Sequence, residues 1–134
     1  MIKILPVKDK NHVISLFKLH NAYLSYSVDD PNKLAINMEE PFYHIAFIKD
    51  RDILGFSHYH KVSPEIAEVH FCIYEPYRKL SMEIAEEGFN YLREKGFKQL
   101  ITFTPKHLRH VKLFALRCGF KPVPQVPTMT EKKL

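Results

Sequence analysis

The most constraining stretch is "EIAEVHFCIYEPYRKLSMEIAEEGFNYLREKGFKQLITFTP", residues 65 to 105, in which two strand-like runs bracket one helix-like run. Between 79 and 95, Leu80, Ile84, Ala85, Phe89 and Leu92 recur at helical spacing, while Glu83, Glu86, Glu87, Asn90 and Glu94 fill the opposite face. Gly96 follows where a left-handed residue closes a helix. "EIAEVHFCIY" before the helix and "KQLITFTP" after it are short and rich in apolar and β-branched residues. A helix joining two strands of one sheet is a crossover, so the two strands run parallel.

The rest of the chain is read around that unit. "IKILPV", residues 2 to 7, is a short strand, and residues 10 to 27 place Val13, Leu16, Phe17, His20, Tyr23 and Leu24 on one helical face. "VDDPNKLAINMEEP" is a loop by its Asp, Asn and Pro content. "FYHIAFIKDRDILGFSHYHKV" holds two strands around a turn at 49 to 52, and "SPE" leads into the third strand of an antiparallel meander. Residues 107 to 118 form another helix, with Leu108, Val111, Phe114 and Ala115 inward and Gly119 after it. The last stretch, "FKPVPQVPTMTEKKL", has three prolines and supplies one or two edge strands. The order β-α-β-β-β-α-β-α-β is an α/β domain with a mixed sheet and helices on both faces. Its 134 residues suit a single domain, 1–134.

Composition removes several classes. Apolar residues at 46% and charged residues at 26% are globular values, not those of a disordered chain. No apolar run approaches the roughly 20 residues that span a membrane, and "MIKILPVKDK" lacks a signal-peptide apolar region. A cytoplasmic protein, or one inside an intracellular assembly, is the expectation. Cys72 and Cys118 lie far apart in apolar surroundings and read as small buried thiols rather than a disulfide or zinc framework. A net charge of +5 permits an acidic partner without demanding one.

Three pieces carry a family resemblance: "IYEPYRKLSMEI", "YLREKGFKQLITFT" and "HVKLFALRCGFKPV". Together they resemble the GNAT superfamily, the Gcn5-related N-acetyltransferases, over roughly residues 40 to 123. The resemblance implies a turn that binds the pyrophosphate of acyl-coenzyme A through backbone N–H groups at a helix start. It implies a carbonyl-binding bulge in the preceding strand and a tyrosine in the last helix that protonates the leaving thiolate. On this chain the cofactor-binding turn falls on Arg78, Lys79, Leu80, Ser81, Met82 and Glu83, with Arg78 at the motif's first position. Ser81 and Glu83 occupy its two small-residue positions, Ala115 the tyrosine position, and Leu108 the position of an asparagine that often opens the last helix. A serine at a helix start can cap it, and a carboxylate there repels a pyrophosphate while competing for the same dipole. The turn is therefore expected to be closed to coenzyme A.

His58 and His60 alternate on one strand, and Glu68 and His70 on the next. A register that aligned them would bring three imidazoles and a carboxylate together, a set that binds zinc. A hairpin centred on the short connection instead pairs His60 with Val69 and puts the histidines on opposite faces. The register stays open, ordinary strand histidines are the expectation, and no metal is expected. If acetyltransferase chemistry operates, Glu68 or His70 is the general base on the strand beside the substrate. Lys106, His107, Arg109, His110, Lys112, Arg117 and Lys121 gather cations at residues 106 to 121. They read first as a solvated face with charge favoured near a helix C-terminus, and second as a surface for nucleic acid or an acidic protein. Tyr23, Tyr26 and "PFYH" at 41 to 44 are candidates to line a pocket, or core and rim packing.

Two functional expectations follow. The first is a GNAT-fold protein without acetyltransferase activity, a binding or assembly module that needs no cofactor and has a protein partner. It is similar to the small GNAT-like proteins of tailed phages that act in head or virion assembly, which implies the virion or host cytoplasm as its location. The alternative is an acetyl-CoA-dependent N-acetyltransferase with a divergent turn, in which Arg78 and the N–H groups of residues 79 to 83 hold pyrophosphate.

Overall fold

Alternating apolar residues in the middle of the chain form the expected meander: β2 (Phe42–Lys49), β3 (Asp52–Ser63) and β4 (Ile66–Ile73). The computed structural model describes residues 1–105 and 108–134. β1 (Lys3–Pro6) joins the outer edge of β2, and β5 (Gln99–Phe103), β6 (Lys121–Val123) and β7 (Val126–Lys133) complete one seven-stranded sheet. Its order is β1-β2-β3-β4-β5-β7-β6, antiparallel throughout except where β5 pairs parallel with β4 across the crossover helix. The final stretch thus gives two strands. Only β6, which carries Pro122, is an edge; β7 lies inside, between β5 and β6.

Among the described residues three α-helices cover the sheet. α1 (Lys10–Lys18) starts where the Asp9 carboxylate accepts from the Asn11 N–H at 2.7 Å. It lays Val13, Leu16 and Phe17 on one face of the sheet, against Ala46, Phe56 and Tyr74. α2 (Ser81–Glu94) and α3 (Arg109–Arg117) lie on the other face, where Ile84, Phe89, Leu92 and Ala115 join Ile45, Phe47, Val69 and Leu100 in the larger core. Gly96 has φ 98°, the left-handed position expected after α2. Among the described residues no helix is long and apolar enough to cross a membrane.

Two helical expectations are corrected. The helix over residues 10 to 27 stops at Lys18 and continues as a 3-10 segment (Leu19–Tyr26) broken by His20 and Asn21, with φ of 53° and 55°. One cause is tertiary: the Leu16 carbonyl, which the next turn would use, accepts from the Tyr74 hydroxyl at 2.6 Å. The helix over 79 to 95 has a 3-10 lead-in (Glu75–Leu80), and Ser81 does not cap it. Ser81 already has helical angles (φ −57°, ψ −39°) and stands one residue past the cap position, which Leu80 fills.

Candidate functional site

β4 and β5 pair at three positions, Ile66 with Gln99, Ala67 with Leu100 and Glu68 with Ile101, and then diverge. β4 runs on to Ile73 against β3, while β5 keeps its pairing with β7 through Phe103. Under the divergence lies a cavity of about 40 Å³ lined by Val69, Phe71, Phe89, Phe114, Ala115 and Phe120, among others. That is room for no more than about three or four solvent molecules. Aromatic rings fill the rest: Phe71 stacks on Phe47 at 5.8 Å and meets Phe89 edge-on at 5.8 Å. Gly88 of α2 makes room for that ring, because a Cβ there would stand 2.7 Å from Phe71 Cε1. Ala115, at the position where the resemblance implies a tyrosine, is buried in the cavity wall.

Residues 75 to 83 lie just beyond the end of β4. Pro76 opens the 3-10 lead-in. The Tyr77 N–H donates to the Tyr74 carbonyl at 2.9 Å, and the Ser81 N–H donates to the Arg78 carbonyl. The backbone leading into the expected cradle is therefore wound on itself, and within the cradle the Ser81 N–H is taken up. Arg78, Lys79, Met82 and Glu83 are exposed, while Leu80 packs against the core. Glu83 points its carboxylate to solvent in the first turn of α2, where it favours the helix dipole and opposes an anion.

The opposite face of the sheet holds the histidines. The observed register is His58 with His70 and His60 with Glu68, so all four share one face and the pairing of His60 with Val69 is corrected. A β-bulge between Lys61 and Ser63 shifts the register by one residue and reverses which face each side chain takes. His70 Nε2 meets Glu68 Oε2 at 3.0 Å, and His60 Nδ1 stands 3.7 Å from the same oxygen. The sequence did not reveal a further member, His44 on β2, paired with His58. Its Nε2 donates to the Asn37 carbonyl at 2.9 Å, and its Nδ1 is buried without a partner. His44, His58 and His70 make a row with ring centroids 6.1 and 5.1 Å apart. Tyr26 closes over His58 at 5.9 Å. Burial pushes His58 down to about 3, and the neighbouring His70, His44 and His60 add to the shift. Burial likewise pushes Cys72, further along the same face, up to about 11, against the opposing charge of Arg78. The His58 and His70 rings stack at 26° rather than converging. Among the described residues no three His, Cys, Asp or Glu are arranged to hold a metal ion.

Arg109, His110, Lys112, Arg117 and Lys121 are all exposed; Lys106 and His107 lie outside the described residues. Cys72 and Cys118 are free thiols, the first half-buried and the second buried. Tyr23 and Tyr26 pack against the smaller core, while Phe42 is exposed, its ring tilted against His60 at 5.0 Å.

No protein-family model matches the sequence, and no curated protein matches it either. Solved structures do resemble it in shape. A GNAT-family acetyltransferase from Staphylococcus aureus superposes with a TM-score of 0.73 at 12% identity, over 100% of this chain and 99% of that one. The Campylobacter jejuni N-acetyltransferase PseH, in complex with acetyl coenzyme A, gives 0.72 at 13% identity over 100% and 98%. An acetyltransferase from Streptococcus agalactiae gives 0.68 at 15% identity over 99% and 98%. Identities this low speak for the fold alone. From end to end, the chain has the fold of the GNAT acetyltransferases.

Proposed function

We propose that this chain uses the GNAT fold as a protein-binding module and carries out no acetyl transfer. The carrying observation is the 3-10 turn over residues 75 to 80, which leads into the expected phosphate cradle and takes up the Ser81 N–H on the Arg78 carbonyl. The aromatic packing between β4 and β5 supports the same reading, since Phe71, Phe89 and Phe120 crowd the space that a coenzyme arm would enter. Ala115 removes the acid that the resemblance implies for the leaving thiolate. A role in assembly, including that of a phage head or virion protein, fits a fold kept without its cofactor. The test is calorimetric titration with acetyl coenzyme A. No heat of binding up to roughly 1 mM ligand is expected; a Kd in the micromolar range, about −8 kcal/mol, would overturn the reading.

One observation favours the alternative, an acetyl-CoA-dependent N-acetyltransferase. Glu68 and His70 form a hydrogen-bonded pair at the point where β4 and β5 part, and such a pair can take a proton from an amine. On that reading Arg78 and the N–H groups of residues 79 to 83 must unwind to meet pyrophosphate. Replacing Glu83 by Gly separates the two accounts. If only the carboxylate blocks the cradle, the variant gains coenzyme A binding; if the wound backbone closes it, nothing is gained.

A further inference from the structure

The two helices on one face of the sheet carry opposite charge. α2 has Glu83, Glu86, Glu87 and Glu94 against Arg93, four negatives and one positive, for a net of −3. α3 has Arg109, Lys112 and Arg117 and no carboxylate, for a net of +3. Glu83, Glu86 and Glu94 are exposed, as are all three α3 cations. Within α2 one loose ion pair forms, Arg93 Nη1 to Glu86 Oε1 at 3.7 Å. Among the described residues no ion pair reaches Arg109, Lys112 or Arg117. Between those cations stand Leu113, 60% exposed, and Leu116, 37% exposed. Met82, 41% exposed, marks the seam between the helices, its Sδ 4.0 Å from Cys118 Sγ.

We propose that this face is a homodimer contact in which α2 of one copy lies against α3 of the other. Symmetry supplies the match. A two-fold axis in the contact plane, along the seam, exchanges the two helices, so −3 meets +3 twice and the contact is self-complementary. Leu113, Leu116 and Met82 of both copies leave water at its centre, the arrangement of an apolar core with a charged rim. Nucleic acid fits this face poorly: phosphates would meet the α3 cations, but the α2 carboxylates alongside would repel them, and the leucines would gain nothing. The proposal rests on the binding-module reading only for what the contact serves, not for whether it forms.

Sedimentation equilibrium of the full chain tests it. A concentration-dependent dimer is expected near 0.1 M salt, weakened near 1 M as the screening length falls from about 10 Å to about 3 Å. Leu113→Asp, at an exposed site that leaves the fold intact, is expected to weaken the dimer by at least about tenfold. Two charge-reversed proteins sharpen the test. One carries Arg109→Glu, Lys112→Glu and Arg117→Glu; the other carries Glu83→Lys, Glu86→Lys and Glu94→Lys. Each alone should be monomeric, and an equimolar mixture should form a heterodimer, since both of its contacts then pair opposite signs. A wild-type chain that stays monomeric up to roughly 1 mM, a Kd weaker than about −4 kcal/mol, overturns the proposal. So does a dimer that both reversals leave unchanged. A dimer in a protein that also binds acetyl coenzyme A in calorimetry supports this contact and sinks only the binding-module reading.

Discussion

Two neighbouring rows on one face of β2, β3 and β4 are built from opposite chemistry. Ala46, Phe56 and Cys72 pair across the strands and are covered by α1. Two residues along each strand, His44, His58 and His70 pair in the same way, and the irregular 3-10 segment covers them through Tyr26. The first row gains from burial, as apolar surface does. The second loses proton affinity on burial, because its central imidazole is held neutral. A regular helix presents a continuous apolar stripe, whereas a broken one ends in a tyrosine whose ring covers an imidazole. The same strands therefore carry an acid-indifferent row beside an acid-sensitive one.

The comparison breaks first at Phe56, which is 1% exposed. Phe56→Ala should cost about 3–5 kcal/mol in urea unfolding, and the loss should be alike on both sides of neutrality. Acid then separates the rows. His58 is neutral in the folded chain, held down to about 3, and takes a proton near its ordinary value of 6.5 once unfolded. Its contribution is complete above about pH 6.5 and declines as pH falls towards 3, by about 1.4 kcal/mol per pH unit. Denaturation midpoints measured across that range should fall with acid in the wild type and flatten in His58→Gln. A slope unchanged by that substitution would place the sensitivity elsewhere. The smallest effect belongs to Glu68, at the solvent end of the histidine cluster. Glu68→Gln should cost no more than about 1 kcal/mol, because its imidazole partners are partly exposed. A larger loss would make that carboxylate a structural anchor.

Much of the fold was legible in the sequence, for a physical reason. The helix over α2 announces itself by period, and Gly96 by position, so the parallel β4–β5 pair follows from connectivity. Register was not legible. Ser63 pairs with Ile66, and continuing that hairpin without a break would put His60 opposite Val69. One bulged residue between Lys61 and Ser63 moves His60 onto Glu68 instead, and its sequence carries no glycine or other marker. A second bulge between Phe47 and Ile48 sets His44 beside His58; it falls at Gly55, so here the sequence did carry a marker. Ser81 followed by Glu83 reads as a helix start. The true start lies earlier, because Pro76 seeds a 3-10 turn that the periodicity of α2 does not reveal.

That turn is the centre of the functional account, and amide resonances of uniformly nitrogen-15-labelled protein report on it directly. Acetyl coenzyme A added to roughly 1 mM, a thousandfold above micromolar affinity, should leave the amide signals of Arg78, Lys79, Leu80, Ser81, Met82 and Glu83 unmoved, because the turn stays wound. Saturable shifts confined to those amides would show the cradle opening around pyrophosphate, and would contradict the account.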